Sequence, residues 1–340
     1  MNLESMGWRE HFAHQIDDPS LIPGRVVLSH RDRFIVWTEK GQSTATPTGH
    51  LRHEAALWPT TGDWVLLRPG GAIEVVLRRE TAISRKSPGR GFDVQVLAAN
   101  VDVLFVVSGL DHDFNPRRLE RYLILAQEGG VRPVLILNKA ELHADPAAAV
   151  REVRGAAESC PVLVMSALEG WGVDAMHDHV AANETAALAG SSGAGKSTIL
   201  NRLLGQDRQT TQAVRAGDGR GLHTTTAREL IAMPQGWLLM DLPGLRELQL
   251  LADEHAVEQA FADIADAAAH CRFRDCRHEG EPGCAVATLV PEERMQAFHK
   301  LRREAAYIER HTDVTAAQAE KKRWKTAHKA MNKVKRDPQR

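Results

Sequence analysis

The chain has 340 residues, 43% hydrophobic and 26% charged, with a formal net charge of -1 at pH 7. These are globular values with length enough for two or three domains, and they exclude a generic polyanion binder that works through overall charge. The longest apolar stretch, Val103 to Val107, is far below the roughly 20 residues of a membrane span, so no membrane segment is expected.

Met1 to Pro19 is polar and charged and has no apolar core for a signal peptide. Residues 1–20 are therefore expected to be a polar extension of a cytoplasmic protein. Four β-rich runs follow: Gly24–Leu28, Arg33–Trp37, Asp63–Leu67 and Ala72–Val76. Turn residues separate them at Lys40-Gly41, Pro47-Thr-Gly49, Thr61-Gly-Asp63 and Pro69-Gly-Gly71. Residues 21–84 thus fit a small antiparallel barrel of the OB type, a fold that often carries RNA. Arg25, Arg31, Arg33, Arg52 and His53 are either phosphate contacts of that barrel or ordinary surface charges.

Thr81 to Phe92 reads as a connector rich in Ser, Gly, Pro, Arg and Lys. The pattern then changes to strands alternating with helices. Val101–Val107, Val134–Leu137, Val162–Met165 and Trp237–Met240 read as buried strands, with Leu188-Ala189 a weak one. Arg117 to Glu128 reads as a helix, capped by Asn115 with Pro116 in its first turn. Cys160, beside a strand, reads as a small core residue. Such alternation means a parallel sheet covered by helices, here spanning residues 85–252. From Asp253 the chain reads as helical, interrupted by a cysteine cluster, and 253–340 is assigned to a separate module.

Four short motifs carry the chemistry of the central region. Gly190-Ser191-Ser192-Gly193-Ala194-Gly195-Lys196-Ser197 is a phosphate loop, with Thr198 next in the helix it opens. Its glycines let backbone N–H groups approach phosphates, Lys196 reaches the β- and γ-phosphates, and Ser197 offers a hydroxyl to Mg²⁺. Asp241-Leu-Pro-Gly244 follows a strand, where the carboxylate can hold Mg²⁺ through water and the Gly244 N–H can sense the γ-phosphate. Asn138-Lys139-Ala140-Glu141 follows another strand and reads guanine. There Asn138 meets the Hoogsteen edge, Lys139 covers the ring, and the carboxylate accepts from the ring N–H and the exocyclic amine; adenine would leave that carboxylate unpaired. Glu141 stands where Asp is usual. Ser166-Ala167 is placed to bring a backbone N–H near the guanine oxygen.

The base-reading half leads and the phosphate half follows, so the domain is circularly permuted relative to an ordinary GTPase. Between the two phosphate motifs, Gly219-Arg-Gly-Leu-His223-Thr224-Thr225-Thr226 occupies the place of switch I, and one of its threonines, taken here as Thr225, is expected to close over Mg²⁺. Leu245 stands where Ras-like enzymes hold a water-orienting Gln, so intrinsic hydrolysis should be slow. His223 either positions the water, packs switch I or touches RNA.

Cys271, Cys276, His278 and Cys284 give four soft ligands within 14 residues, a set suited to one structural tetrahedral Zn²⁺. Glu292 to Arg310 reads as a helix packed on that site. Lys321 to Arg340 then holds nine Lys or Arg against one acid, Asp337, which is either a nucleic-acid contact or a solvated helix with a frayed end.

Taken together, the barrel, Ala99-Asn-Val-Asp102, the permuted motifs, the Gly-Arg-Gly-x-His-Thr-Thr-Thr segment and the Cys3His spacing resemble the RsgA (YjeQ) family of small-ribosomal-subunit-dependent GTPases over nearly the whole chain. That resemblance implies a ribosome-activated GTPase acting late in small-subunit assembly, with barrel and zinc module gripping rRNA on either side of the nucleotide domain. It implies GTP and GDP as ligands, and a monomer is expected. Two other readings stand beside it: an RNA-binding placeholder whose nucleotide is structural, and a permuted GTPase of large-subunit assembly.

Overall fold

Between residues 22 and 76, five strands close into a barrel: β1 (Ile22–His30), β2 (Arg33–Thr38), β3 (Gly41–Pro47), β4 (Trp64–Leu67) and β5 (Ala72–Val76), in the order β1-β2-β3-β5-β4. Only the β3–β5 pair is parallel. Val26, Phe34, Val36, Val65 and Ile73 fill the interior, and closure leaves no free sheet edge. A short helix, Gly49–His53, crosses between β3 and β4. The computed structural model describes residues 2–53, 57–86, 94–154, 160–205, 228–242, 257–258, 260–278 and 281–306.

Strand β3 corrects the sequence reading, which took Lys40-Gly41 and Pro47–Gly49 as turns and saw no strand between them. Only Ala45 and Pro47 of its seven residues are buried, so it lacks the apolar alternation that marks a strand. The connector is also partly strand: β6 (Ala82–Lys86) pairs with β7 (Val94–Ala99).

The N-terminal segment is not a loose polar extension. Glu4–Met6 and Glu10–Ala13 form short helical turns that bury Met6 and Phe12 against Trp64, Leu66 and Leu77. Trp8 meets Trp64 edge-on at 4.6 Å. Beneath this cap lies Arg25, wholly buried. Its guanidinium donates to Met6 O (3.2 Å), Asn100 O (3.0 Å) and Thr185 Oγ1 (3.2 Å), and sits 5.2 Å over the Trp64 ring. Burial lowers its pKa to about 10, partly offset by Asp102 and Asp63, so it stays charged at neutral pH. Arg25 is therefore neither of the things expected of it, an RNA contact or a surface charge. It ties the N-terminus, the barrel and the following sheet together. Arg31, Arg33 and Arg52 are exposed; the side chain of His53 lies outside the described set.

The same joint explains Asn100 and Asp102. Asn100, with φ of +54°, donates from Nδ2 to Gly62 O (3.1 Å) and accepts from Glu80 N–H (2.9 Å). Asp102 accepts from Thr185 N–H (2.8 Å) and pairs with Arg9.

Beyond the joint come β8 (Val103–Gly109), β9 (Arg132–Asn138), β10 (Val162–Val164), β11 (Thr185–Gly190), β12 (Leu230–Ala232) and β13 (Leu238–Asp241). They form one sheet in the order β10-β9-β8-β11-β13-β12, parallel except for β12. The phosphate-loop strand β11 lies between β8 and β13 in the sheet. β11, read as weak, is a wholly buried strand whose many alanines suit the middle of a sheet covered on both faces. Helices Pro116–Glu128, Pro146–Arg154 and Lys196–Leu204 follow β8, β9 and β11. The first is capped as expected, Asn115 Oδ1 accepting from Arg118 N–H at 3.3 Å. Cys160 packs against the core, and burial pushes its thiol up to about 11.

Contacts divide the chain into two units, Met1–Arg85 with Gln95–Gln249, and Lys86–Val94 with Leu250–Arg340. Within the second, the helices Ala262–Ala268 and 292–306 bury Ile264, Met295, Phe298 and Leu301. Arg294 lies 4.4 Å over Phe261 and pairs with Asp263. Among the described residues no helix is long and apolar enough to cross a membrane.

Candidate functional site

Strand register places the predicted motifs on one sheet edge. Asn138 ends β9 opposite Gly109, Gly190 ends β11 opposite Val107, and Asp241 ends β13 opposite Leu188. Ser166 follows β10. In an open parallel sheet the carboxyl ends of the strands form the ligand crevice, because the loops and helix N-termini gather there.

Asn138 is the hub of that edge. It is buried, and both ends of its amide are used. Nδ2 donates to Ala194 O of the phosphate loop (2.9 Å), and Oδ1 accepts from Ala167 N–H (2.9 Å). One residue thus joins the phosphate loop to both base-reading segments. Gly195 exists for this approach: at its φ of +98°, a Cβ would stand 2.1 Å from Asn138 Nδ2. Gly190, at φ +141°, would likewise strike Val107 O at 2.1 Å.

The loop continues into the helix Lys196–Leu204, whose first turn carries no acid. Lys196 Nζ donates to Gly190 O (2.8 Å) and Ser191 O (2.7 Å), which lays the ammonium against the loop. Ser192 and Gly193 are exposed, and Ser197 and Thr198 are half-buried on that first turn. Asp241 is buried at the end of β13.

Lys139 adopts the left-handed conformation at φ +62°, and its Nζ pairs with Asp111 at 2.6 Å. Burial opposes ionisation of Asp111, but hydrogen bonds from Lys139 and the Asp113 N–H outweigh it and hold the carboxyl below its usual range. Asp113 is held low by Arg118 and then by the Ser191 hydroxyl. The segment Asp111–Asp113 therefore braces Lys139 and the phosphate loop together. Sequence reasoning missed it, since two acids after a strand carry no motif. Asp111→Asn should weaken GDP binding about fivefold by releasing Lys139, a loss of about 1 kcal/mol for a part-buried pair, measurable by displacement of fluorescent GDP.

Glu141 lies in the turn Ala140–Leu142. Its Oε2 is buried and has no hydrogen-bond partner among the described residues. A buried carboxylate oxygen left without a donor is costly, so a ligand N–H is its natural complement. Gly244, Leu245, His223 and Thr224–Thr226 lie outside the described residues.

In the second unit, the Cys271, Cys276 and Cys284 sulfurs and a His278 nitrogen lie within 4.8 Å of one another. Cys271 Sγ and Cys284 Sγ are 3.6 and 3.5 Å from His278 Nδ1 and 4.0 Å from each other. A tetrahedron with Zn–S of about 2.3 Å and Zn–N of about 2.0 Å has S···N and S···S edges of about 3.5 and 3.8 Å, so the cluster is compatible with Zn²⁺. Outer contacts support it. Ala287 N–H donates to Cys284 Sγ (3.4 Å), and Glu281 accepts from Arg277 N–H (2.9 Å) beside Cys276.

Comparison with known proteins agrees with this geometry. A family model described as RsgA GTPase matches residues 76–251. An ABC transporter model matches 173–339, a range that includes the phosphate loop but begins after Asn138–Glu141 and Ser166-Ala167. The small ribosomal subunit biogenesis GTPase RsgA of Opitutus terrae is 45% identical, over 96% of this chain and 95% of its own. That of Syntrophotalea carbinolica is 39% identical, over 96% of each. Among solved structures, YjeQ from Thermotoga maritima superposes with a TM-score of 0.63 at 26% identity, covering 84% of this chain and 99% of its own. YloQ, described as a circularly permuted GTPase, shares the fold with a TM-score of 0.58 at 21% identity, covering 88% and 98%. With its barrel, permuted nucleotide sheet and Cys3His cluster, the chain belongs to the RsgA family of small ribosomal subunit biogenesis GTPases.

Proposed function

We propose that this protein binds the small ribosomal subunit late in its maturation and times its own release by hydrolysing GTP, slowly alone and faster on the subunit. The observation that carries the nucleotide part is the Asn138 hub, which draws the phosphate loop and the Ser166-Ala167 loop to one point, three residues before Glu141, whose buried Oε2 has no partner among the described residues. The partner rests on the names of the relatives.

In this reading Asn138, Lys139, Glu141 and the Ser166–Leu168 backbone hold guanine. The N–H groups of Gly190 to Thr198 and Lys196 hold the phosphates. Ser197 and Asp241 hold Mg²⁺, a hard cation suited to a hydroxyl and a carboxylate. Thr225 and Gly244 sense the γ-phosphate, and His223 positions water. Leu245 supplies no polar group, which leaves room for stimulation by the subunit. The barrel's exposed arginines and the zinc module with its basic tail grip rRNA. The domain division 1–20, 21–84, 85–252 and 253–340, a monomeric state and a cytoplasmic location belong to the same proposal.

The experiment is GTP turnover with small subunits, large subunits or neither. Strong stimulation by small subunits alone is expected. Equal turnover in all three would favour an RNA-binding placeholder, and stimulation by large subunits would move the protein to the other assembly line.

A further inference from the structure

Arg202 belongs to none of the motifs, yet it closes the base-reading loop. It lies in the last turn of the helix Lys196–Leu204, at the far end from the phosphates. Its Nε donates to Ala167 O (3.0 Å) and its Nη2 to Leu168 O (2.6 Å). Gly170, at φ +87°, makes room: a Cβ there would stand 3.3 Å from the Arg202 guanidinium carbon. Among the described residues, its other hydrogen bonds run only within the loop and to Asn138. Gly170 N–H and Trp171 N–H return to Ser166 O (2.8 and 3.2 Å), and Glu169 N–H to Ser166 Oγ (3.1 Å).

A peptide unit is planar and trans, so its C=O and N–H point in opposite directions. The Ala167 carbonyl faces Arg202. The Leu168 N–H, the other end of the same peptide, therefore points away from the guanidinium. Among the described residues that N–H donates to nothing, whereas Ala167 N–H is already committed to Asn138. A charge-assisted bond to the carbonyl also polarises the peptide and strengthens its N–H as a donor.

We propose that Arg202 is a specificity-positioning residue that aims and strengthens the Leu168 N–H as the donor to the 6-oxo group of guanine. The role rests on the guanine-site reading above. It makes the helix of the phosphate loop, through its distal end, a support for base recognition. Phosphate loop, Asn138, Ala167, Arg202 and helix then form a closed ring in which base and phosphate ends hold each other in place.

The test uses Arg202→Met, which keeps a long apolar stem without donors, and Arg202→Lys, which returns one donor. Release rates are measured for GDP, for 6-thio-GDP (a weaker acceptor at position 6), for IDP (no exocyclic amine) and for ADP. Arg202→Met should speed GDP release about tenfold and narrow the preference for GDP over 6-thio-GDP, with Arg202→Lys intermediate. The preference for GDP over IDP, set by Glu141, should not change. A purely structural role would speed all guanine-type ligands alike, and an unaltered ratio of GDP to 6-thio-GDP release in Arg202→Met overturns the proposal. Wild-type protein without preference for GDP over ADP would sink the guanine site itself, and this role with it.

Discussion

Cys284→Ser is expected to cost the protein its zinc and the ordered state of its second unit. Four ligand atoms within 4.8 Å are a set compatible with one tetrahedral Zn²⁺. Structural zinc in small modules binds with about 10–16 kcal/mol, most of which appears as folding energy. Cys284 is the most buried of the four ligands, accepts the Ala287 N–H and leads directly into the helix Val286–Leu289. Serine offers neither a thiolate nor its reach. Wild-type protein should carry about one zinc per chain by elemental analysis and the variant almost none. Amide protection should fall across 260–306, while GDP affinity, which depends on the other unit, should hold within about twofold. Full zinc content with an unchanged melting transition would contradict the assignment.

Asn138→Ala should be the most damaging single change to the nucleotide site. It strips Ala194 O of a donor and Ala167 N–H of an acceptor, both at a buried position. Each orphaned group costs about 1–3 kcal/mol, so about 2–6 kcal/mol is lost before any contact with the base is counted. Most of that should appear in nucleotide binding, because the two broken bonds join loops that meet at the ligand rather than in the core. GDP affinity should fall about thirtyfold to ten-thousandfold by equilibrium titration. An affinity within about threefold of wild type would mean that the hub is incidental.

The parts of this protein legible in its sequence are those whose chemistry sits in few adjacent residues. The phosphate loop, the Asn138 motif and Asp241 stand at strand ends on one sheet edge, and the Cys3His atoms converge. Apolar runs gave away β8, β9 and β13. Four barrel strands were visible as β-rich runs between turn residues, but β3 was hidden because it carries no apolar run and exposes five of its seven residues. The N-terminal cap was hidden for a different reason: Met6 and Phe12 sit on turns too short to show a helical period, with Trp8 between them. Arg25 and Arg202 were beyond local reading. The acceptors of Arg25 come from residues 6, 100 and 185, and those of Arg202 from a loop 34 and 35 positions earlier. The one local hint for Arg202 is a charged residue between Asn201 and the apolar pair Leu203-Leu204.

The joint around Arg25 also bears on how the nucleotide site is held. Thr185 starts β11, and β11 runs straight into the phosphate loop at Gly190. Arg25 and Asp102 both grip Thr185, so the barrel fixes the root of the strand that presents the loop.

The measurement that bears most directly on all of this is calorimetric titration of nucleotide-stripped protein with GDP and with ADP in the presence of Mg²⁺. A single site of micromolar affinity for GDP, with ADP at least about a hundredfold weaker, is the predicted result. Equal affinity for the two, or no binding of either at micromolar concentrations, would contradict a permuted pocket that reads guanine.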